Sequence, residues 1–205
     1  MWGLVQDGSI TKFINNPKGM VIGDVRHSRN IFSLWSKSEL EAIGIYEVEF
    51  DNTNKKDEQW YTNTNQSFAF AGGKITASYG SSTAKAHADT LFTAQDEIDG
   101  KGTEGEVATR GLKYNLIKNL KTSVANELAR TDWYITRNTE KSTAIPSAIT
   151  THRDLVRTRQ ATMETQITNA SDTPALETLY TYVNTGTEEN PVYERPLGEL
   201  PTLES

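Results

Sequence analysis

The apolar positions of this chain change period near its middle. The first half carries short apolar runs separated by turn residues, the pattern of strands. Trp2 and Leu4 share a face, Asp7-Gly8 is a hairpin signal, and Ile10 to Ile14 resumes the extended run. Asn15-Asn16-Pro17-Lys18-Gly19 predicts the next turn, and the runs Met20–Val25 and Ile31–Trp35 read as further short strands. One short helix follows: Ser36 and Glu39 have the spacing of a capping box, Leu40 and Ile43 form its apolar side, and Gly44 is placed to end it. Ile45 to Phe50 alternates as a half-buried strand does. Phe68–Ala71, Gly72-Gly73 and Lys74–Ala77 spell a hairpin.

The second half has a helical period. Leu112, Leu116, Leu120, Val124 and Leu128 recur every four residues and predict an amphipathic helix over residues 106–130. Trp133, Tyr134 and Ile135 fall in the connection after it. Pro146 precedes a second helix over residues 147–170, with Ile149, Leu155, Val156, Met163 and Ile167 as its apolar side. Two such helices joined by a moderate loop predict an antiparallel pair. Thr173-Pro174 starts a short third helix, Tyr180–Val183 and Pro191–Tyr193 predict a small hairpin, and Arg195 to Ser205 reads as an extended arm. The expected fold class is α+β. A strand-rich domain spans residues 1–100, Gly100, Gly102 and Gly105 form a joint, a helical hairpin spans 106–170, and a short helix, hairpin and acidic tail span 171–205.

Composition narrows the functional classes. Apolar residues make up 36%, so the cores are expected to be small. The absence of cysteine removes disulfides, thiolate zinc sites and Cys nucleophiles. No apolar run approaches the ~20 residues of a membrane span, and the N-terminus lacks the pattern of a secretion signal. A soluble chain with no membrane partner is expected. The net charge is −6, and it is concentrated beyond Ser171, where Asp172, Glu177, Glu188, Glu189, Glu194, Glu199 and Glu204 face Arg195 alone. An acidic balance argues against nucleic acid as a partner.

No catalytic constellation emerges, and no cofactor or metal is expected. His27, His87 and His152 are scattered, and His152 reads as a surface or boundary residue that shares no helical face with Asp154. Glu47, Glu49 and Asp51 alternate along a strand as a solvated face does. Arg110, Lys113, Lys118 and Lys121, with Arg153, Arg157 and Arg159, read as a seam for an acidic protein partner or for the chain's own acidic arm. Trp60 and Tyr61, beside Asn63 and Asn65, form the one pair suited to stacking on a host-surface glycan.

Two stretches resemble known families. Leu128-Ala129-Arg130-Thr131-Asp132-Trp133, then Pro146-Ser147, then His152-Arg153-Asp154-Leu155-Val156-Arg157, resembles the phage tail assembly chaperone-like domain, with its L-x-x-T-D-W element and its Y/H-R-x-x-[LV]-R helix. Ile31-Phe32-Ser33-Leu34-Trp35 with Glu39-Leu40-Glu41-Ala42-Ile43-Gly44 is similar to the N-terminal segment of small tail-fibre or tail-accessory proteins of phages, marine ones included. The resemblance implies a non-enzymatic tail, fibre or adaptor protein. Such a protein would be made in the host bacterial cytoplasm, located in the virion, and bound to other tail proteins as a homo-oligomer. The alternatives are an assembly chaperone that leaves the particle and a glycan-binding module. The residues expected to make contacts are Trp133, Arg153, Arg157, Trp60 and Tyr61. Trp133 is expected to be buried as the anchor of the helix pair, with Arg153 and Arg157 clamping the connection or a partner carboxylate.

Overall fold

A computed structural model describes residues 1–203. Glu204, counted above in the acidic stretch, and Ser205 lie outside the described residues. The architecture is α+β, with strands concentrated in the first half and helices in the second. The chain forms two compact units, Met1–Thr83 and Ala84 onward.

The first unit is built on a five-stranded sheet. β1 (Trp2–Gln6) and β2 (Ser9–Ile14) form the predicted hairpin, with Asp7 and Gly8 both at positive φ. A second hairpin joins β3 (Met20–Ile22) to β4 (Val25–His27). The run at Ile31 is not a strand but a helical turn, α1 (Ile31–Leu34), whose first amides reach the carbonyls of Ser28, Arg29 and Asn30. α2 (Lys37–Ala42) has the predicted capping box, with Ser36 accepting from the Glu39 amide and Glu39 from the Ser36 amide. Gly44 then reverses the chain at φ 81°, and its carbonyl accepts from the Val5 amide at 2.8 Å.

β5 (Ile45–Asp51) lies antiparallel to β1 and parallel to β8 (Lys74–Ser78). After β6 (Tyr61–Thr62), β7 (Ser67–Ala71) pairs with β8 through Gly72-Gly73, and β9 (Thr83–Ala84) starts at the unit's last residue. The sheet order is β2-β1-β5-β8-β7. Alternation along the strands gives each face its own core. Leu4 and Ile45 meet Ile31 and Leu40 of the helices on one face. Val48, Ile75 and Ala77 pack with Val5, Ile10, Tyr46, Phe68 and Phe70 on the other. The outer strands β2 and β7 approach each other, and the rings of Phe13 and Phe68 stand 4.5 Å apart. A Cβ at Gly3 would sit 2.4 Å from Ile75 Cδ1, so the buried Ile75 side chain would have to shift to admit one.

The second unit begins ahead of the glycines expected to be a joint. β10 (Thr90–Leu91) pairs with β11 (Val107–Thr109) around α3 (Ala94–Ile98), a helix that Thr93 caps. The Gly100–Gly105 segment is therefore a turn inside this substructure. Lys101 bridges Asp96 and Asp99, each at 3.0 Å, and the Gly105 amide reaches Phe92 O. α4 (Leu112–Ala129) starts later than the pattern predicts, because residues 107–109 are spent in the small sheet. Its first amides donate to the carbonyls of Ala86 and His87.

The connection after α4 is a helix of its own, α5 (Asp132–Lys141), and α6 (Ser147–Asn169) follows as predicted. α4 and α6 are antiparallel: Lys113 near the start of α4 donates to Thr168 O at the end of α6, while Glu127 at the other end meets His152. Val156, Met163 and Ile167 are buried on α6, but Leu155 is 53% exposed, one step off that stripe. α7 (Thr173–Tyr180) begins at the Asp172 cap with Pro174 in its first turn, and β12 (Val183–Asn184) pairs with β13 (Tyr193–Glu194). The arm beyond docks. Leu197 is 1% exposed, and its carbonyl accepts from Arg159 at 2.7 Å.

Ile75 is fully buried between β5 and β7 and against Gly3. Ile75→Ala is expected to destabilise the first unit by roughly 2–5 kcal/mol, measured by urea denaturation followed through the aromatic signals.

Candidate functional site

The corner where α4 turns into α5 gathers most of the residues that carry the resemblance. α4 ends at Ala129, and Thr131, 1% exposed, folds back so that its amide and hydroxyl both donate to Leu128 O at 3.0 Å. Arg153 enters this corner from α6 and is 9% exposed. Its Nη1 donates to Leu128 O at 2.8 Å, Thr131 Oγ1 at 2.7 Å and Asp132 Oδ1 at 2.8 Å. A buried guanidinium needs acceptors around it, and a helix C-terminus supplies carbonyls that carry partial negative charge. Arg153 thus clamps the connection, while Arg157 is half exposed and, among the described residues, reaches only Asp154 of its own helix at 3.4 Å.

A second polar pair flanks the clamp. His152 is buried rather than at the surface, because it lies on the same face of α6 as Ile149, Arg153 and Val156. Its Nε2 faces Glu127 Oε1 at 3.0 Å, and Arg130 reaches Glu127 Oε2 at 3.0 Å. Burial pushes the Glu127 carboxyl up. Hydrogen bonds from Arg130, His152 and the Leu203 backbone outweigh that and hold it below the usual glutamate range. Asp154 points to solvent and takes no part.

Trp133 is not the buried anchor. It is 50% exposed, because it lies on α5, a helix with no buried side chain of its own. Its ring stands 3.7 Å from that of Tyr134, and the Arg137 guanidinium lies 4.7 Å over Trp133 and 5.5 Å over Tyr134. Ile135 is also exposed. Trp133 and Arg137 are four apart, a spacing that brings side chains together on a helix and was readable from the chain. The Glu127–His152 pair left no such signal, since its members are 25 residues apart.

The remaining candidates are spent on the fold. Trp60 and Tyr61 are 3% and 5% exposed and offer no ring face to a sugar. Asn63, expected beside them as a hydrogen-bonding group, makes two bonds to the Lys56 backbone. In the basic seam, Arg110 pairs with Asp89 at 2.6 Å, Lys113 binds Thr168 O at 2.8 Å and Lys121 faces Glu164 at 3.7 Å. Arg159 holds the C-terminal arm. On β5, Glu49 pairs with Lys74 at 3.0 Å and Asp51 accepts from the Thr53 amide.

Arg153→Ala is expected to cost roughly 2–4 kcal/mol, since it strips the donor from a buried hydroxyl and two further acceptors. Thermal unfolding followed by helical dichroism checks it. Trp133→Ala is expected to change stability by no more than about 1 kcal/mol. A fall in melting temperature comparable to that of Arg153→Ala would show that the ring carries packing.

No protein family, curated protein or solved structure matches this chain.

Proposed function

We propose that this chain is a non-enzymatic structural component of a bacteriophage tail, working in several copies through protein–protein contacts. The observation that carries the reading is the stack of exposed Trp133 with half-buried Tyr134 and Arg137 on α5, set on the buried Arg153 clamp. Trp, Tyr and Arg are the side chains that dominate interface energetics. Here they are pre-arranged by ring stacking and cation–π contact on a helix that buries none of its own residues. A surface ordered in advance loses less entropy on binding than one that must be ordered by its partner.

The resemblance supports the same reading. The L-x-x-T-D-W and H-R elements, 20 residues apart from Asp132 to His152, form a single hydrogen-bonded knot. Leu128, Thr131 and Asp132 all accept from Arg153. These elements position a surface and do no chemistry themselves. A part that remains on a particle and a chaperone that leaves it would use the same surface.

Quantitative mass spectrometry of purified particles and of infected-cell lysate separates the two. Several copies per particle are expected. Presence in lysate with absence from particles would make the chain an assembly chaperone. Trp133→Ala is expected to lower its incorporation at least ten-fold while the protein remains folded.

A further inference from the structure

A cleft of about 190 Å³ opens on the helical side of the first unit's sheet. Its aromatic walls are Trp2 of β1, Phe32 of α1 and Trp35, the residue that ends α1. The rings of Trp2 and Phe32 stand 5.2 Å apart. Trp35 is 37% exposed, and the imidazole of His27 meets its ring edge-on at 5.6 Å. Buried Leu40 and Ile45 complete the apolar lining, and Lys37 and Glu47 bring one charge of each sign. Lys37 is tied only loosely, to Glu41 at 3.8 Å. Among the described residues, neither the Trp2 and Trp35 indole N–H groups nor the Glu47 carboxylate takes a hydrogen-bond partner.

We infer that this cleft binds one pyranose ring of a neutral glycan. The volume lies below the roughly 300–1,000 Å³ of sites for drug-sized ligands, which restricts the occupant to a single ring. The lining pairs aromatic side chains with the loosely tied Lys37 ammonium, two indole N–H groups and a carboxylate. A sugar has the matching halves: axial C–H groups to lie on indole, hydroxyls to donate to Glu47 and to accept from Lys37 and the indole N–H groups. Aromatic walls beside a carboxylate also suit a quaternary ammonium ion. The Lys37 ammonium on the same lining opposes that cation, and Glu47 opposes an anion, so an uncharged polyhydroxyl ring is favoured. This site is separate from the Trp60–Tyr61 pair, and the inference does not depend on the tail-component reading.

The test is a titration of the full chain with methyl glucoside, methyl galactoside and methyl N-acetylglucosaminide. The indole N–H signals of Trp2 and Trp35 are followed in proton–nitrogen correlation spectra. At least one glycoside is expected to shift both signals saturably, with a dissociation constant in the millimolar range. Glu47→Gln, an exposed strand position that leaves the cores intact, is expected to weaken binding roughly ten-fold. Trp35→Ala is expected to abolish it, with the Trp2 and Trp60 signals reporting that the unit stays folded. Absence of saturable shifts through the millimolar range for all three glycosides overturns the inference. So does a response to tetramethylammonium chloride alone, or a response that Glu47→Gln leaves unchanged.

Discussion

A guanidinium cannot be taken out of water without acceptors to replace it, and the second unit is arranged around that constraint. Arg153 lies on the inward face of α6 beside Val156, where an aliphatic residue would continue the apolar stripe. Its charge is met at the end of α4 by the Leu128 carbonyl, the Thr131 hydroxyl and the Asp132 carboxylate. Carbonyls at a helix C-terminus have no intrahelical donors and carry partial negative charge, so the two needs satisfy each other. The consequence is directional. α4 must stop where Arg153 meets it, Asp132 must start α5, and α5 must leave that corner along one path. Everything α5 displays, the Trp133–Tyr134–Arg137 stack above all, inherits its position from this clamp.

The first unit solves a different problem. Its sheet carries a core on each face, while the central strand β5 leaves Glu47 and Glu49 exposed. Gly3 stands where Ile75 presses on β1, and a side chain there would displace the Ile75 methyl. Covering both faces with so few large apolar residues draws aromatic rings into packing. Trp60 and Tyr61 are buried, whereas Trp2 and Trp35 are only partly covered and line a cleft. Whether a ring supports the fold or faces a ligand is settled by how much apolar surface lies near it, which a single aromatic pair in the chain does not reveal.

Local chemistry left clear marks in the chain. The Ser36–Glu39 capping box, the Asp7-Gly8 and Gly72-Gly73 turns, the four-residue stripe of α4 and the Thr173-Pro174 start of α7 all stand where the pattern put them. Each depends on residues a few positions apart, so short-range sterics and hydrogen bonding suffice to specify it. The misreadings share the opposite cause. Ile31–Leu34 has the composition of a strand but is helical where it packs on Leu4 and Ile45. Gly100–Gly105 has the composition of a linker but is held between strands paired from either side of it.

Most elements and the α+β class were thus written in near-neighbour spacing along the chain, while α1, α5 and the β10–β11 pair were not. The burial of Arg153 and His152, the exposure of Trp133 and Leu155, and the loss of Trp60 and Tyr61 to a core were not. Those outcomes depend on groups brought together across long stretches of chain: Glu127 with His152, Leu128 with Arg153, Gly3 with Ile75. Apolar burial and charge neutralisation act between surfaces that exist only once the helices and strands have packed. The residue types were therefore visible from the start, and their environments were assigned by the tertiary contacts.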